Sequence, residues 1–568
     1  MSENVIEFKD FTFKYDAQAE PTLYNINLKI KKGEKVLICG PSGCGKSTLS
    51  HCLNGLIPAS YPGDASGELL IADKSYKEHT IFSLSKITGT VLQDSDGQFI
   101  GLTVGEDIAF ALENENTPLS VMKQKVLEAA KKVGVESFLA HAPHELSGGQ
   151  KQRVSLAGVM VDNVSLFLFD EPLANLDPAA GKNTIELIEQ IHKTTDSAIV
   201  IIEHRLEDVL YKSVDRVILM SEGRIIADMT PDELLSSNLL IENGIREPLY
   251  STALKYAGVN INPDMKPGRI DTLILSDEDK DKIRAWYKNV EVEKKELNSN
   301  VVLTAQDISF SYDGKKEALS NVSLKIRKGE MVSIVGRNGA GKSTFSKLVC
   351  GFEKPSKGRF LLEDKDLAEF SIKERADHIG YVMQNPNQMI TKPMIRDEVS
   401  LGLALEGKLS EEEIKKKVDE TLKICGLYEM RSWPVSALSY GQKKRVTIAS
   451  ILSMDPEIII LDEPTAGQDL RHYTEIMEFL KKLNSLGVTI ILITHDMHLM
   501  IEYTNRAIVF TNGHLIKDTS CEEILTDEEG CKAASLKKTS LSELAIMCEL
   551  PETEFVRRFI QEDKRRRR

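Results

Sequence analysis

Two glycine-rich segments carry the residue types best suited to hold phosphate, GPSGCGKST (40–48) and GRNGAGKST (336–344). Each fits the pattern G-x-x-x-x-G-K-[ST], follows an apolar run and precedes a helical stretch, which is the context that this motif requires. In such a loop, successive backbone N–H groups point at phosphate oxygens, and the following helix contributes the positive end of its dipole. A chance glycine-rich turn is the alternative, but two matches in the right context make it a poor explanation.

The side chains of the two loops have distinct expected roles. We expect Lys46 and Lys342 to reach the β- and γ-phosphates of ATP. The hydroxyl groups of Ser47 and Ser343 are expected to hold Mg²⁺. The other loop residues predicted to bind nucleotide are Gly40, Ser42, Gly43, Gly45, Thr48, Gly336, Asn338, Gly339, Gly341 and Thr344.

Two acidic pairs, Asp170-Glu171 and Asp462-Glu463, stand at the ends of apolar runs that predict strands. A strand end delivers its side chains to the crevice in which ligands bind to a parallel sheet. The aspartates suit Mg²⁺ coordination, and the glutamates suit a base that orients the attacking water. A solvated acidic turn would explain one such pair, but not two at similar distances from their phosphate loops.

An aromatic residue precedes each phosphate loop at a similar distance, Tyr15 in the first half and Tyr312 in the second. A ring at this position can stack on adenine, so both are predicted to bind nucleotide. The alternative is an aromatic side chain that alternates into the core face of a strand.

Cys44 distinguishes the first loop from the second, which has Ala340 at the matching position. A thiol at a helix start beside Lys46 is in a setting that favours the thiolate. We therefore expect Cys44 to have a lowered pKa and to react selectively.

These motifs recur in the same order because the chain contains two similar copies of one unit. FTFKY (11–15) returns as ISFSY (308–312), and FLFDEP (167–172) returns as IILDEP (459–464). A period this long indicates a tandem duplication and not a solenoid. We predict a first domain at 1–235, a connecting segment and linker at 236–300, a second domain at 301–525 and a C-terminal extension with a basic tail at 526–568.

Each copy alternates short β-rich runs, such as KVLICG and TIILIT, with helical stretches. Continuous apolar strands of this kind predict an α/β fold with a parallel sheet covered on both faces. The longest apolar runs are strand-sized, whereas a helix needs about 20 apolar residues to span a bilayer. We therefore expect no membrane-spanning segment.

Composition and net charge limit the kinds of partner that the chain is expected to bind. The chain has 568 residues, is 41% hydrophobic and carries a net charge of −14. That charge argues against a duplex nucleic-acid partner, which needs a concentrated basic face, and we expect no nucleic acid. Eight cysteines without a CxxC pair are typical of reduced thiols in the cytosol.

Two further segments make the pattern specific, HELSGGQKQRVSLAG (144–158) and SALSYGQKKRVTIAS (436–450), which we call the signature segments. With LSGGQ ahead of FDEP, and with His204 and His495 after the next strands, both halves resemble the ATP-binding cassette (ABC) family. The resemblance implies two tandem P-loop NTPase domains. Each would have a RecA-like parallel-sheet core, an antiparallel β subdomain and a helical subdomain. It also implies an ATPase that uses ATP and Mg²⁺.

In the resembled family the two domains pair head to tail, so that each signature segment closes over the nucleotide of the other domain. The resemblance therefore implies two crossed sites with His204 and His495 as catalytic residues. The first would add Gln93, His204, Ser439 and Gly441 to the loop of Lys46. The second would add Gln384, His495, Ser147 and Gly149 to the loop of Lys342, and both glutamines would also be Mg²⁺ ligands.

The two halves differ from each other at three places in these motifs, and at the first two the second half departs from the family pattern. Tyr440 replaces the first glycine of the signature, although Ser439 and Gly441 remain. The turn after the glutamate reads ANLDP (174–178) in the first half and AGQDL (466–470) in the second. Leu173 stands where the second half has Thr465. We expect the two sites to differ in rate.

The segments VLQDSDGQFIGLTVGEDIAF (91–110) and VMQNPNQMITKPMIRDEVSL (382–401) resemble the ATPases of energy-coupling-factor (ECF) importers. Fused double ATPases of this kind include relatives assigned to thiamine-precursor uptake. The resemblance implies a peripheral subunit at the cytoplasmic face of the cell membrane, which drives uptake of a vitamin, vitamin precursor or metal ion. Its partners would be an integral membrane coupling subunit and a small substrate-binding membrane subunit. The acids expected to receive the coupling helices are Asp94, Asp96, Glu106, Asp107, Asp397 and Glu398, unless they are ordinary solvated surface.

Two alternatives stay open at this point. A sugar-importer double ATPase would energise a membrane complex, but its second phosphate loop is typically degenerate, and GRNGAGKST is intact. A soluble ABC-F translation factor would bind ribosomes through a strongly basic linker, whereas residues 264–300 mix acids and bases. The chain closes on four arginines, RRRR (565–568). They could contact anionic lipid headgroups, but we expect a solvated, disordered end.

Overall fold

The computed structural model describes residues 3–92, 96–162, 164–174, 176–292, 300–465, 468 and 470–567, and it describes only the backbone of residue 96. The chain forms two compact units, Met1–Ala285 and Trp286–Arg568. Each unit contains one six-stranded sheet and one four-stranded sheet. The predicted α/β class is confirmed for both units.

The six-stranded sheet of the first unit has the order β10-β9-β3-β8-β7-β6. Its strands are β3 (Lys35–Cys39), β6 (Thr88–Val91), β7 (Leu166–Asp170), β8 (Ala198–Ile202), β9 (Arg216–Ser221) and β10 (Arg224–Met229). All pairs are parallel except the one between β9 and β10. Because both faces of the sheet are covered, β3 and β8 are buried along their whole length and read as continuous apolar runs.

The four-stranded sheet of the first unit is antiparallel in the order β2-β1-β4-β5. Its strands are β1 (Asn4–Tyr15), β2 (Leu23–Lys31), β4 (Gly63–Ile71) and β5 (Lys74–Ser75). Phe8, Phe11 and Phe13 of β1 point into one core that also contains the buried face of β3. This packing fixes the end of β1, and therefore Tyr15, beside the phosphate loop.

The helices of the first unit fall into three groups. The principal ones are α1 (Lys46–Leu53) after β3, a bundle of α4 (Val104–Asn114), α5 (Leu119–Val133) and α6 (Gly148–Met160), and α7 (Pro178–Thr194) before β8. Short helices are α2 (Leu56–Ala59), α3 (Ile81–Ser85) and α8 (Leu206–Val209). The connecting segment adds α9 (Pro231–Leu235), α10 (Leu239–Glu242), α11 (Leu249–Tyr256) and α12 (Asp277–Asn289).

The second unit repeats this plan with the sheet orders β16-β17-β18-β13-β19-β20 and β12-β11-β14-β15. Its strands are β11 (Val301–Phe310), β12 (Leu319–Arg327), β13 (Met331–Val335), β14 (Lys357–Leu362), β15 (Lys365–Asp366), β16 (Ile379–Val382), β17 (Ile458–Asp462), β18 (Thr489–Ile493), β19 (Arg506–Thr511) and β20 (His514–Ser520). Its helices are α13 (Lys342–Cys350), α14 (Ile372–Ala376), α15 (Ile395–Glu406), α16 (Glu411–Ile424), α17 (Tyr440–Leu452), α18 (Leu470–Ser485) and α19 (Met497–Tyr503).

The C-terminal extension is folded onto the second unit. It forms α20 (Cys521–Thr526), α21 (Glu528–Ala534), α22 (Ser540–Met547) and α23 (Glu552–Arg566). Arg565 and Arg566 pair with Glu562, and Arg567 pairs with Glu502 at 2.9 Å. These three arginines are exposed, as predicted for a solvated end, but the prediction of disorder is wrong for them, because α23 extends to Arg566 and buried carboxylates of α19 and α23 pair with them. Arg568 lies outside the described residues.

Across the described ranges, no helix combines the length and the apolar composition that crossing a bilayer requires.

Candidate nucleotide-binding sites

The two phosphate loops lie between a central strand and the helix that follows it, β3 and α1 in one unit, β13 and α13 in the other. Both lysines are buried at the first position of their helices. Lys46 Nζ donates to the carbonyl oxygens of Gly40 and Pro41, each at 2.8 Å. Lys342 Nζ does the same to Gly336 at 2.6 Å and to Arg337 at 3.0 Å. The curved loop thus holds an ammonium group at its centre.

A glycine is required where each loop enters its helix. Gly45 and Gly341 have φ values of 100° and 103°, in the region that side chains rarely adopt. A Cβ at Gly341 would also lie 2.6 Å from Leu319 Cδ2 and 2.7 Å from the Ala318 carbonyl oxygen. The backbone can therefore turn sharply only because both positions lack a side chain.

The predicted magnesium aspartates occupy the ends of β7 and β17, but their hydroxyl partners differ. Asp462 Oδ2 accepts from Ser343 Oγ at 2.9 Å and from the Tyr381 hydroxyl at 3.1 Å. Asp170 Oδ2 accepts instead from Ser50 Oγ at 3.3 Å. Burial raises the pKa of both aspartates. A carboxylate beside a serine hydroxyl is an oxygen donor set that fits Mg²⁺, which usually takes few protein ligands and completes its shell with phosphates and water.

The glutamates that follow these aspartates have a strained backbone. Glu171 and Glu463 have φ values of 48° and 45°, which is uncommon for residues other than glycine. Each backbone N–H donates at 2.9 Å to the neighbouring strand, to the carbonyl of Ile202 or of Ile493. Such strain persists where the surrounding structure imposes it and is concentrated at functional sites. The similar positive φ values give the backbone of both predicted bases, Glu171 and Glu463, the same local conformation.

The predicted catalytic histidines contact these glutamates unequally. His495 Nδ1 lies 2.8 Å from Glu463 Oε1. In the first unit the matching distance, from His204 Nδ1 to Glu171 Oε1, is 3.9 Å, and His204 lies closer to Glu203 Oε1 at 3.3 Å. Two carboxylates therefore share the surroundings of His204.

Glu203 is a residue that sequence reasoning missed. It is fully buried, and its carboxylate accepts from the backbone N–H groups of Leu173, His204 and Arg205. The buried Leu173 is thus part of a local arrangement in which Glu203 replaces Thr494 of the second half. Burial raises the pKa of Glu171, and the nearby Glu203 charge raises it further against the opposing effect of His204.

The two predicted adenine-stacking tyrosines stand against the phosphate-loop helices. The Tyr15 hydroxyl lies 3.0 Å from Thr48 Oγ1, and the Tyr312 hydroxyl lies 3.2 Å from Thr344 Oγ1. The ring of Tyr312 is 55% exposed, whereas Tyr15 is half-buried and packs edge-on against Phe13. Both rings border the loop, so neither is a simple core residue.

A cleft of about 570 Å³ in the second unit brings many of the predicted residues together. Its lining includes Tyr312, Asn338, Gly339, Gly341, Lys342, Ser343, Thr344, Gln384, Asp462 and Glu463. In the first unit Gln93 and Asp94 lie outside the described residues. For the second unit, a single cleft holds the predicted phosphate, metal and base residues.

The signature serines cap helices within their own units. Ser147 precedes α6, and its N–H and hydroxyl both donate to Gln150 Oε1 at 2.9 Å. Ser439 precedes α17, and its N–H donates to Gln442 Oε1 at 2.9 Å. Both serines are exposed, and Gly149 and Gly441 lie in the first turn of the same helices. Each signature segment thus presents a helix N-terminus, which is suited to an anion.

The expectation for Cys44 is wrong. Cys44 is buried, and burial raises the pKa of its thiol despite Lys46, so the thiolate is not favoured.

The acids expected to receive coupling helices have contacts within their own units, while Glu106 and Asp397 remain exposed. Glu106 caps α4 through Thr103, and Asp107 accepts from the N–H of Ile100 at 2.9 Å. Glu398 is buried and accepts from the N–H of Thr391 and Lys392, which leaves Asp397 exposed.

Comparison with known proteins gives a consistent result. A family model described as ABC transporter matches residues 23–174 and 319–466. A second model, described as ATP-binding cassette cobalt transporter, matches residues 237–310.

Curated relatives cover nearly the whole chain. A Clostridium perfringens protein named as an ABC transporter ATP-binding protein is 60% identical over 561 residues, which is 99% of this chain and 98% of the relative. A Lactobacillus johnsonii protein with the same kind of name is 54% identical and covers 99% of this chain and 98% of its own length. A solved structure of cbiO1 from Clostridium perfringens, named as part of the ABC transporter complex cbiONQ, is 35% identical. It covers 44% of this chain and 100% of its own, with a TM-score of 0.39.

Proposed function

The chain belongs to the ABC transporter family of ATP-binding proteins, which hydrolyse ATP, and on that premise we propose that it is the energy-coupling subunit of an ECF-type importer. The observation that carries this proposal is the cleft of the second unit, which gathers Lys342, Ser343, Asp462 and Glu463 around one phosphate loop. The same residue types recur in the same elements of the first unit. Two such sites in one chain suit a double ATPase.

In each site the phosphate loop binds the nucleotide. Its backbone N–H groups and the buried lysine hold the β- and γ-phosphates. Mg²⁺ would be held by Ser47 and Asp170 in the first site and by Ser343 and Asp462 in the second, with Gln93 and Gln384 as further ligands. When bound, Mg²⁺ neutralises part of the charge on the phosphates.

Hydrolysis requires a water molecule in line with the bond between the β- and γ-phosphates. Glu171 or Glu463 accepts a hydrogen bond from this water and orients it. His495 holds the carboxylate of Glu463 at 2.8 Å, whereas His204 lies 3.9 Å from that of Glu171. The water oxygen forms a bond to the γ-phosphorus as the bond to the leaving oxygen breaks, which yields ADP and phosphate. The strained backbone of each glutamate serves this step, because it aims the side chain in advance.

We also propose the crossed arrangement that the family resemblance implies. Ser439 and Gly441 would complete the site of Lys46, and Ser147 and Gly149 would complete the site of Lys342. The exposure of both serines at helix N-termini supports this, because their side chains are accessible to an anion from outside their own unit, where it would compete with the local contacts to Gln150 and Gln442. The domain division at 1–235, 236–300, 301–525 and 526–568 belongs to the same proposal.

A membrane coupling subunit is the proposed partner, with the chain at the cytoplasmic face. Asp107 holds the backbone of Ile100 and Gly101, and the neighbouring side chains of Ile100 and Leu102 are 67% and 83% exposed. An apolar pair held outward in this way suits a protein interface. The proposed docking surface is therefore apolar in the first unit, and Asp107 shapes the loop that presents it.

For the transported substance, the match over residues 237–310 to a cobalt-transporter model favours a divalent metal ion over a vitamin or vitamin precursor. The substance itself is bound by a separate membrane subunit.

The experiment is copurification of the tagged chain from native membranes, followed by uptake of Co²⁺ and of a thiamine precursor into proteoliposomes. We expect integral membrane subunits and ATP-dependent Co²⁺ uptake. Leu102→Asp should reduce recovery of the membrane subunits, whereas Leu486→Asp, also at an exposed leucine, should not. Recovery with ribosomes and without membrane protein would establish the ABC-F alternative. Uptake of a sugar, tested in the same proteoliposomes, would establish the sugar-importer alternative.

A further inference from the structure

A buried lysine of the second unit joins the signature helix to the segment that contains Gln384. Lys444 lies on α17 and is 1% exposed. Its Nζ donates to the carbonyl oxygens of Met383 at 2.8 Å and of Gln384 at 2.7 Å. Burying an ammonium group is costly unless hydrogen bonds satisfy it, so this contact has to be maintained in the folded state.

Tyr440 makes a second contact to the same carbonyl group. It is the first residue of α17 and replaces a signature glycine, and its hydroxyl donates to the Gln384 carbonyl oxygen at 3.1 Å. Two donors from one helix therefore converge on one peptide group. That peptide group carries the Gln384 side chain, which lines the nucleotide cleft.

The first unit has different residues at the matching positions. Gly148 stands in place of Tyr440, and Gln152 stands in place of Lys444. Gln152 contacts the Pro172 carbonyl and the Thr184 hydroxyl, next to the predicted base Glu171. Among the described residues, Lys444 and Gln152 thus join their signature helices to different segments of their own units.

We propose that Lys444 and Tyr440 are positioning residues that hold Gln384 in place in the second nucleotide site. The inference rests on the proposed function, because it assumes that Gln384 serves the nucleotide held by Lys342. Since α17 starts at the signature segment, a displacement of that segment is transmitted to Gln384 through two hydrogen-bonded side chains. In the first unit, among the described residues, the matching side chain Gln152 reaches the segment after Glu171.

The test uses the full chain in two backgrounds that isolate one site each. Glu171→Gln leaves turnover at the second site, and Glu463→Gln leaves turnover at the first. In the Glu171→Gln background, Lys444→Met should lower kcat about tenfold, because a misplaced group is costly even when it is displaced by only about 1 Å. The KM for ATP should change less than about twofold, since the phosphate loop still binds the nucleotide.

Tyr440→Phe removes one hydroxyl from a 41% exposed ring and tests the proposal without disturbing the core. It should lower the same kcat by a smaller factor. Lys443→Met is the matched control on the same helix, because among the described residues its ammonium contacts the Asn387 side chain at 3.3 Å and not the carbonyl groups of Met383 or Gln384. Hydrogen exchange should rise at residues 383–385 in the Lys444 and Tyr440 variants but not in the control.

Equal losses of kcat in both backgrounds would overturn the positioning role. A fall in thermal stability with unchanged kcat and unchanged exchange at 383–385 would overturn it as well. The proposed function fails separately, if the double Glu171→Gln, Glu463→Gln protein hydrolyses ATP at the wild-type rate.

Discussion

His495 holds the carboxylate of Glu463 directly, with 2.8 Å between Nδ1 and Oε1. The matching pair in the first unit is separated by 3.9 Å, because the buried Glu203 lies nearer to the imidazole of His204. The two halves therefore share the predicted base and the histidine but differ around them, since the first half has Glu203 where the second has Thr494. Differences between the sites should follow from these contacts.

The glutamates should be required at both sites. Glu171→Gln and Glu463→Gln should each slow ATP turnover, because an amide cannot accept the proton of the attacking water. The double variant should retain ATP without hydrolysing it. Single-turnover assays with radiolabelled ATP measure both effects, and normal phosphate release from the double variant would remove these residues from the base role.

Loss of the histidine should cost more in the second site than in the first. His495→Ala removes a direct contact to the base, whereas His204→Ala removes a longer one. With the other site silenced by its Glu→Gln change, we expect the second site to lose about ten times more of its kcat than the first does. Similar losses in the two backgrounds would show that the difference in distance has no effect on catalysis.

The first site should lose activity at low pH in a way that depends on Glu203. Burial and the Glu203 charge raise the pKa of Glu171, and a protonated Glu171 cannot act as a base. In the Glu463→Gln background, turnover should fall as the pH drops through this raised pKa. Glu203→Gln removes one carboxylate charge, lowers the pKa of Glu171 and should move the acid limb to lower pH. A pH–rate profile that is the same with and without Glu203 would contradict this.

The crossed arrangement predicts which site each signature serine serves. Ser147→Arg should impair the site of Lys342, because a bulky cation replaces the hydroxyl that faces its phosphate. Ser439→Arg should impair the site of Lys46. Photolabelling with an azido-ATP followed by peptide mapping locates the loss. A loss confined to the unit that carries the substitution would mean that the sites are not crossed.

The basic end should contribute to stability through one arginine. Arg567 pairs with Glu502, whose side chain is 2% exposed and also accepts from the Tyr473 hydroxyl. Arg567→Ala leaves this carboxylate short of a partner and should cost about 1–3 kcal/mol in the free energy of unfolding. Arg565→Ala is the control, because Arg566 still pairs with Glu562 and a change of under about 0.5 kcal/mol is expected. Urea denaturation compares the two, and equal shifts would contradict the assignment.

The sequence alone determined the features that local chemistry specifies. A loop with Gly45 and Lys46 can curl around phosphate only in one way, so the pattern of residue types predicts the structure. Continuous apolar runs such as those of β3 and β8 predict buried parallel strands because both faces need cover. The duplication placed the same chemistry in both halves. These features depend on residues that lie close together in the chain, so local sequence motifs are enough to predict them.

Tertiary structure decided what depends on neighbours far apart in the sequence. Cys44 has a raised pKa because the fold buries it, although Lys46 is only two residues away. Glu398 forms hydrogen bonds within its own unit and is not open to a partner, since the loop before α15 folds back onto it. The contact between Tyr440 and Gln384 joins residues that no local motif connects. Burial and hydrogen-bond partners set the pKa and the role of a side chain, and both are properties of the packed chain, not of the spacing between residues.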